Sequence, residues 1–150
     1  MHIAAIDPGV TTGLVVVNYT PRVSQMTVHV QHAAQHADAT AALIVSIIRS
    51  LRCRTVVMEQ KPKNPSKEGL DNWESIYQRL LTQDYGVSHN MHIDHHSART
   101  IFFVQPSQWK PFMKSRAKDT PFRQHHVADA GRMLHYFLQV NYPEKEINYV

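Results

Sequence analysis

Three short apolar segments open the chain, and only a few residues separate each one from the next. His2–Ile6 is short and apolar, Leu14–Tyr19 contains three consecutive valines, and Thr27–Gln31 alternates valine with polar residues. These patterns are typical of β-strands. Apolar residues then recur at helical spacing from Asp38, the expected N-cap, to about Leu51, and Thr55–Gln60 (TVVMEQ) has the composition of a buried strand. The first sixty residues therefore predict a three-stranded meander, one helix and a fourth strand.

The second half of the chain alternates helical and extended segments with polar loops. A basic loop at Lys61–Lys67 precedes a helix over Asp71–Tyr85, which Gly86 is expected to end. Val87–Arg99 is polar and rich in histidine, and Ile101–Val104 is a fifth strand candidate. The remaining segments are a short helix from Pro106, a second basic loop at Lys114–Arg123 and a final amphipathic helix over His125–Val140. The order β-β-β-α-β-α-β-α is similar to that of ribonuclease H-like proteins, so we expect one α/β domain over residues 1–150, with a five-stranded mixed sheet flanked by helices.

Composition limits the classes of protein that this chain can belong to. With 150 residues and 43% apolar residues, it is long enough to form one packed core. Its net charge of +4 favours an acidic partner such as nucleic acid. The single cysteine, Cys53, excludes an internal disulfide and a multi-cysteine zinc site. The apolar runs are too short for a membrane span or a signal peptide, so we expect a small, soluble, cytoplasmic domain without a membrane partner.

Two predicted strands end in an acidic residue, and the last helix begins with further polar groups. Asp7 follows the first strand in IDPG, and Glu59 lies near the end of the fourth strand in VVMEQ. A carboxylate at the end of a buried strand is costly unless a cation or a hydrogen bond compensates it. His126 and Asp129 are three residues apart and share a helix face. Three carboxylates and an imidazole around one cleft favour Mg²⁺ or Mn²⁺ over zinc, and a pair of such ions can catalyse phosphodiester hydrolysis.

Each of these four residues also has a purely structural interpretation. Asp-Pro-Gly is a common turn, and a glutamate at a strand end is often a salt-bridge partner. His126 and Asp129 can simply begin a helix, because acidic residues there interact favourably with the helix dipole. Taken singly, the four residues are weak indicators. Their occurrence together, at compatible ends of the predicted elements, favours the catalytic interpretation.

Four sequence motifs in the same order resemble the RuvC-type Holliday-junction resolvases. They are IDPGVTTG, the strand ending in MEQ, QPSQWK, and HHVADA in the last helix. The resemblance spans most of the chain. It implies a ribonuclease H-like fold, a homodimer, branched DNA as the substrate, and two Mg²⁺ or Mn²⁺ ions per active site. It further implies paired nicks across a four-way junction, in the cytoplasm of a bacterial or phage-infected cell.

The resemblance also implies roles for individual residues. Asp7, Glu59, His126 and Asp129 match the catalytic metal-ligand set, and Lys110 matches the basic residue beside the scissile phosphate. Most relatives carry aspartate where His126 stands, although histidine also occurs. His125 is the alternative ligand, but its spacing of four residues from Asp129 fits less well.

The sequence departs from the family pattern at two places. Glu59 is usually followed by an aromatic residue that helps to open the junction centre, whereas here no aromatic residue occurs before Trp73. The segment Val87–Arg99 is also longer than expected. A nuclease of flaps or of RNA–DNA hybrids, or a non-catalytic nucleic-acid-binding module, therefore stays open as an alternative. An actin-like ATP-binding fold requires two domains and does not fit in 150 residues.

Basic residues precede and follow the proposed site along the chain. They lie just after Glu59 and just before His126, where phosphate contacts are expected, although solvated loops would look the same. The DNA-binding candidates are Lys61, Lys63, Lys67, Lys114, Arg116, Lys118 and Arg123.

Two further patterns have more than one interpretation. His89, His92, His95 and His96 have the spacing of a zinc site, but no residues that would support the ligands are evident and a polar surface loop is the favoured explanation. The stripe of Trp73, Tyr77, Leu80 and Leu81 is expected to lie in the core or at a dimer interface.

Overall fold

A computed structural model describes residues 1–20, 24–32, 37–93, 98–114, 125–143 and 147, with backbone only for 24–32 and 125. These residues form six strands and four helices, here numbered in chain order. The strands are β1 (His2–Asp7), β2 (Thr12–Tyr19), β3 (Ser24–His32), β4 (Thr55–Glu59), β5 (Gly86–Ser88) and β6 (Thr100–Val104), and the helices are α1 (Ala37–Ser50), α2 (Lys67–Thr82), α3 (Pro106–Met113) and α4 (His125–Asn141).

All strands join one mixed sheet in the order β3-β2-β1-β4-β6-β5. Strands β1, β2 and β3 pair antiparallel, as the meander predicted, whereas β1–β4, β4–β6 and β6–β5 pair parallel. The predicted mixed sheet flanked by helices is confirmed, and its five predicted strands are all present. The three-residue strand β5 is an addition at the sheet edge, in a segment whose polar sequence gave no strand signal.

Helices cover both faces of the sheet. Strand β2 is buried on both sides, since Leu14 to Val17 have no exposed surface, which is the pattern expected of a strand between two layers. Alternate strand residues, Ile3 and Ala5 among them, pack on one face with α3 and α4. The intervening residues pack on the other face with α1 and α2. In the stripe on α2, Trp73 and Leu80 lie in this second core, and Tyr77 packs against it.

The bounds of α2 differ from the prediction at both ends. The helix begins at Lys67 because the side chain of Ser66 caps it, accepting a hydrogen bond from the backbone three residues further on (3.1 Å). Lys67 therefore belongs to the helix and not to the preceding loop. The helix ends at Thr82, after which Asp84 adopts a left-handed conformation with φ 66°. Gly86 is not the helix stop but the first residue of β5.

No helix in the described part of the chain combines the length and the apolar character that a membrane span requires.

Candidate active site

The pleat of the sheet places Asp7 and Glu59 on the face that α4 covers. Successive strand side chains alternate between faces, and both residues share the parity of strand residues that pack against α4, such as Ala5 and Val57. In the parallel pairing of β1 with β4, Ile6 lies beside Met58. Asp7 and Glu59 follow one step further along the two strands. The carboxyl ends of the strands therefore bring the two carboxyl groups together.

A glycine on β2 brings the start of α4 against the same strand ends. Gly13 pairs with Asp7 across the sheet. A Cβ atom at Gly13 would lie 2.1 Å from the backbone oxygen of His126 and 2.8 Å from the backbone nitrogen of Val127. The helix backbone thus rests directly on the strand backbone, which only glycine permits. This contact sets the position of the first turn of α4 and thereby places His126 beside Asp7.

Four predicted residues lie around Asp7, namely Glu59, His126, Asp129 and Lys110. Its Oδ2 lies 3.5 Å from Nδ1 of His126, and its carboxyl group is hydrogen-bonded to Glu59. Asp129 and Lys110 are close enough to change its electrostatic environment. The structure therefore gathers the whole predicted set, contributed by β1, β4, α3 and α4, at one edge of the sheet.

The electrostatics of Asp7 are strongly perturbed. Burial, followed by the hydrogen bond to Glu59 and the charges of Glu59 and Asp129, raises the pKa of Asp7 from 3.8 to about 9. Lys110 lowers this pKa in part. The side chain of Asp7 is only 12% exposed. Burial first, and the neighbouring carboxyl groups second, therefore favour the protonated form of Asp7 in the metal-free site.

The donor chemistry of this cluster fits a divalent cation. No group of three His, Cys, Asp or Glu side chains in the described part of the chain is arranged around a common point as metal ligands would be. The crowding that protonates Asp7 is nevertheless the kind that a cation relieves, and oxygen donors with one imidazole suit Mg²⁺ or Mn²⁺. The residues that would hold the ion are Asp7, Glu59, His126 and Asp129.

Helix α2 anchors the two segments that carry the carboxyl groups. Asn72, which is 4% exposed, donates from Nδ2 to the backbone oxygen of Gly9 (2.6 Å) in the turn after Asp7. Trp73 donates from Nε1 to the backbone oxygen of Glu59 (2.8 Å). Two adjacent side chains of one helix thus hold the ends of β1 and β4 in place.

A groove of about 340 Å³ opens beside Glu59, between α2, β6 and α3. Its wall combines aromatic rings with amide and basic groups. The rings of Trp73 and Phe103 stack with their centroids 5.8 Å apart. The lining residues are Gln60, Lys61, Trp73, His89, Met91, Phe103, Gln105 and Gln108.

The predicted DNA-binding residues divide into three groups. Lys61 lines the groove and pairs with Glu74 at 2.8 Å. Lys63, Lys67 and Lys114 are exposed. Arg116, Lys118 and Arg123 lie outside the described residues.

Two sequence alternatives concern histidines. Only the backbone of His125 is described, whereas the side chain of His126 lies beside Asp7. In the histidine-rich segment, His95 and His96 lie outside the described residues, so the zinc alternative is not tested.

Sequence reasoning missed three residues that support the site. The supporting roles of Asn72 and Trp73 could not be predicted from local patterns, because their hydrogen bonds join residues far apart in the chain. The polar side chain of Asn72 among the buried residues of α2 was the one sequence feature that could have indicated such a role. Arg132 lies one helical turn after Asp129, with Nη1 3.7 Å from its Oδ1. The spacing of these two residues on α4 predicts this pair.

Comparison with known proteins extends the fold description. No family model matches the sequence, and no curated protein sequence matches it significantly. Among solved structures, RuvC from Thermus thermophilus is 14% identical with a TM-score of 0.65, covering 93% of this chain and 96% of that one. The yeast mitochondrial Holliday junction resolvase Ydc2 is 10% identical with a TM-score of 0.56, covering 92% and 81%. The fowlpox virus Holliday junction resolvase is 10% identical with a TM-score of 0.56, covering 91% and 98%. The chain therefore has the ribonuclease H-like fold of the RuvC-type resolvases.

Proposed function

We propose that this chain is a metal-dependent endonuclease that cleaves phosphodiester bonds in branched DNA, with four-way junctions as its substrate. One observation carries the proposal: Asp7, Glu59, His126, Asp129 and Lys110 come from four separate elements and meet at one buried carboxyl group. The fold adds support, because a structure with the same fold is RuvC of T. thermophilus in complex with a Holliday junction substrate (TM-score 0.63, 15% identity).

The residues of the site would share the work of hydrolysis. A bound pair of Mg²⁺ or Mn²⁺ ions would activate water and stabilise the leaving oxygen. Asp7 must lose its proton before it can act as a ligand, and His126 must be neutral. The charge of Lys110 already lowers the pKa of Asp7, and the same charge would stabilise the negative charge that develops on the phosphate.

The groove beside Glu59 supports a nucleic acid as the substrate. Amide groups of Gln60, Gln105 and Gln108 can hydrogen-bond base edges or phosphate oxygens, and Lys61 supplies a positive charge. Lys63 and Lys67, which follow Lys61 closely in the sequence, are also exposed. We therefore place the DNA across the edge of the sheet that carries Asp7 and Glu59.

The defining experiment compares cleavage of a labelled four-way junction, a flap, a plain duplex and an RNA–DNA hybrid, with Mg²⁺ or Mn²⁺ present. We expect paired nicks in the junction, and loss of cleavage by orders of magnitude in Asp7→Asn, because one ligand charge disappears. Asp71→Asn is the matched control, since Asp71 is exposed on α2. A well-folded Asp7→Asn protein that cleaves at the rate of the parent would overturn the assignment.

The same experiment separates the alternative functions. Preference for the flap or the hybrid would keep the chemistry but change the substrate, in agreement with the absence of an aromatic residue directly after Glu59. Binding without cleavage of any substrate would favour a non-catalytic module.

Paired nicks further require two active sites, so we propose a homodimer. Sedimentation at tens of micromolar, with and without junction DNA, tests it, and a monomer under both conditions would contradict it.

A further inference from the structure

A second cavity lies at the opposite end of β4 from Glu59. Its volume is about 200 Å³, and its lining consists of Arg49, Arg52, Arg54, Arg99 and Cys53. We call it the arginine cavity. Four of the nine arginines of the chain line it, and its lining includes no carboxylate. A carboxylate does lie nearby: Oδ2 of Asp84 is 4.0 Å from Nη1 of Arg99, but its side chain is 92% exposed.

Part of this positive charge has a structural explanation. Arg49 lies in the last turn of α1, and Arg99 donates from Nη1 to the backbone oxygen of Gln83 (2.9 Å) at the end of α2. Helix C-termini carry a partial negative charge, and two of them offset roughly one elementary charge. The lining of the cavity nevertheless carries four guanidinium groups and no carboxylate.

The wall of the arginine cavity is held rigidly in place. Tyr85 is 4% exposed, and its hydroxyl group donates to the backbone oxygen of Cys53 and is hydrogen-bonded to Arg49. Arg52 follows α1 in the left-handed conformation, with φ 55°, where glycine is preferred. A side chain at such a position costs about 1 kcal/mol. The chain thus keeps a cation where the backbone alone favours glycine.

The thiol in the lining does not account for the cavity. Cys53 is 1% exposed, and burial raises its thiol pKa to about 12. It is therefore a neutral side chain at physiological pH, unsuited to act as a nucleophile or to bind a metal. The chemistry that the cavity offers is that of its guanidinium groups.

We propose that the arginine cavity binds a phosphate group. Guanidinium groups match phosphate oxygens with pairs of parallel hydrogen bonds, and an anion relieves the repulsion among the four arginines. Glu59 lies five residues after Arg54, which corresponds to roughly 17 Å along an extended strand. The two places lie at opposite ends of β4, so one DNA molecule contacts both only if it follows the side of the domain between them. DNA as the source of the phosphate rests on the function proposed above, whereas the phosphate site itself does not.

Binding of inorganic phosphate and of pyrophosphate to the metal-free chain tests the site. The double variant Arg52→Gln/Arg54→Gln changes two exposed side chains of the cavity lining. The control variant Arg79→Gln changes an exposed arginine on α2, outside the lining. We expect at least a tenfold loss of phosphate affinity in the double variant, measured by calorimetry, and no loss in Arg79→Gln. Equal affinity in all three proteins would overturn the proposal, and circular dichroism establishes that each variant is folded.

Footprinting of a bound four-way junction identifies the source of the phosphate. If the source is DNA, the double variant loses a patch of backbone protection away from the crossover, and its salt slope falls by about two. If the source is a free phosphate, the footprint stays unchanged while the calorimetric loss persists. Cleavage at the crossover is measured separately. An inactive enzyme that still binds phosphate would contradict the proposed function and leave the cavity assignment standing.

Discussion

Asp7 is the residue at which burial and charge conflict most strongly. Its carboxyl group lies under α4, hydrogen-bonded to Glu59 and close to Asp129. In the unfolded chain the same group has an ordinary pKa of 3.8, whereas in the fold the pKa is about 9. The folded protein therefore binds a proton that the unfolded chain releases between these two pH values. Stability from this residue is complete below the lower value and is lost as pH rises toward the higher one.

We therefore predict that Asp7→Asn stabilises the metal-free protein, and that the gain increases from pH 6 to pH 8.5. A single proton sets an upper limit of about 1.4 kcal/mol per pH unit for this difference. Urea denaturation in the presence of EDTA measures it, and Asp71→Asn is the control. A gain that is constant across this pH range, or a loss, would contradict the prediction.

Gly13 acts through its missing side chain. A Cβ atom there would overlap the backbone of His126 at 2.1 Å, and neither the strand nor the helix can yield without moving part of the site. We predict that Gly13→Ala lowers the free energy of unfolding by about 1–3 kcal/mol and reduces cleavage further than this loss explains. At Gly86 a Cβ atom would have the backbone oxygen of Arg99 as its nearest neighbour, at 3.8 Å, so Gly86→Ala is the matched control. Comparable behaviour of the two variants would count against the close contact.

At the scale of the elements, α2 joins the two strands that carry the carboxyl groups. Asn72 holds the turn after β1, and Trp73 holds the end of β4. We predict that Asn72→Asp, which removes both amide donors at nearly constant size, costs about 1–3 kcal/mol of stability. It should also increase hydrogen exchange in the turn around Gly9. The neighbouring exposed substitution Asp71→Asn should do neither, and equal exchange in the two variants would disprove the anchoring role.

The sequence predicted the elements whose signals are local. Strands β1, β2, β4 and β6 have continuous apolar runs, and the ends of two of these runs sufficed to place Asp7 and Glu59 at strand ends. The start of α2 was misplaced because its first turn is polar, and β5 was missed because three residues carry too little pattern. The contact between Gly13 and α4 joins residues more than a hundred positions apart, which no local pattern reveals.

At the scale of the whole molecule, positive charge lies both beside the candidate active site and at the opposite end of β4. Near the site, Lys61 is already paired with Glu74, whereas Lys63 and Lys67 are exposed. We predict that Lys63→Gln/Lys67→Gln reduces the slope of log affinity against log salt by about two for every DNA shape. Lys61→Gln should change it less. Fluorescence anisotropy at several salt concentrations measures the slope, and an unchanged slope would assign these lysines to a solvated surface.

The contact between Gly13 and α4 also bears on when the protein becomes active during its synthesis. The ribosome releases the Asp7 and Glu59 strands early, but His126 and Asp129 follow only with α4, more than sixty residues after Glu59. Until α4 packs against the backbone of Gly13, the nascent chain contains the carboxyl groups of Asp7 and Glu59 without His126 and Asp129. Under the proposed function, a chain translated only as far as β4 is therefore unable to cleave DNA, and hydrolysis begins only after α4 has been synthesised and packed.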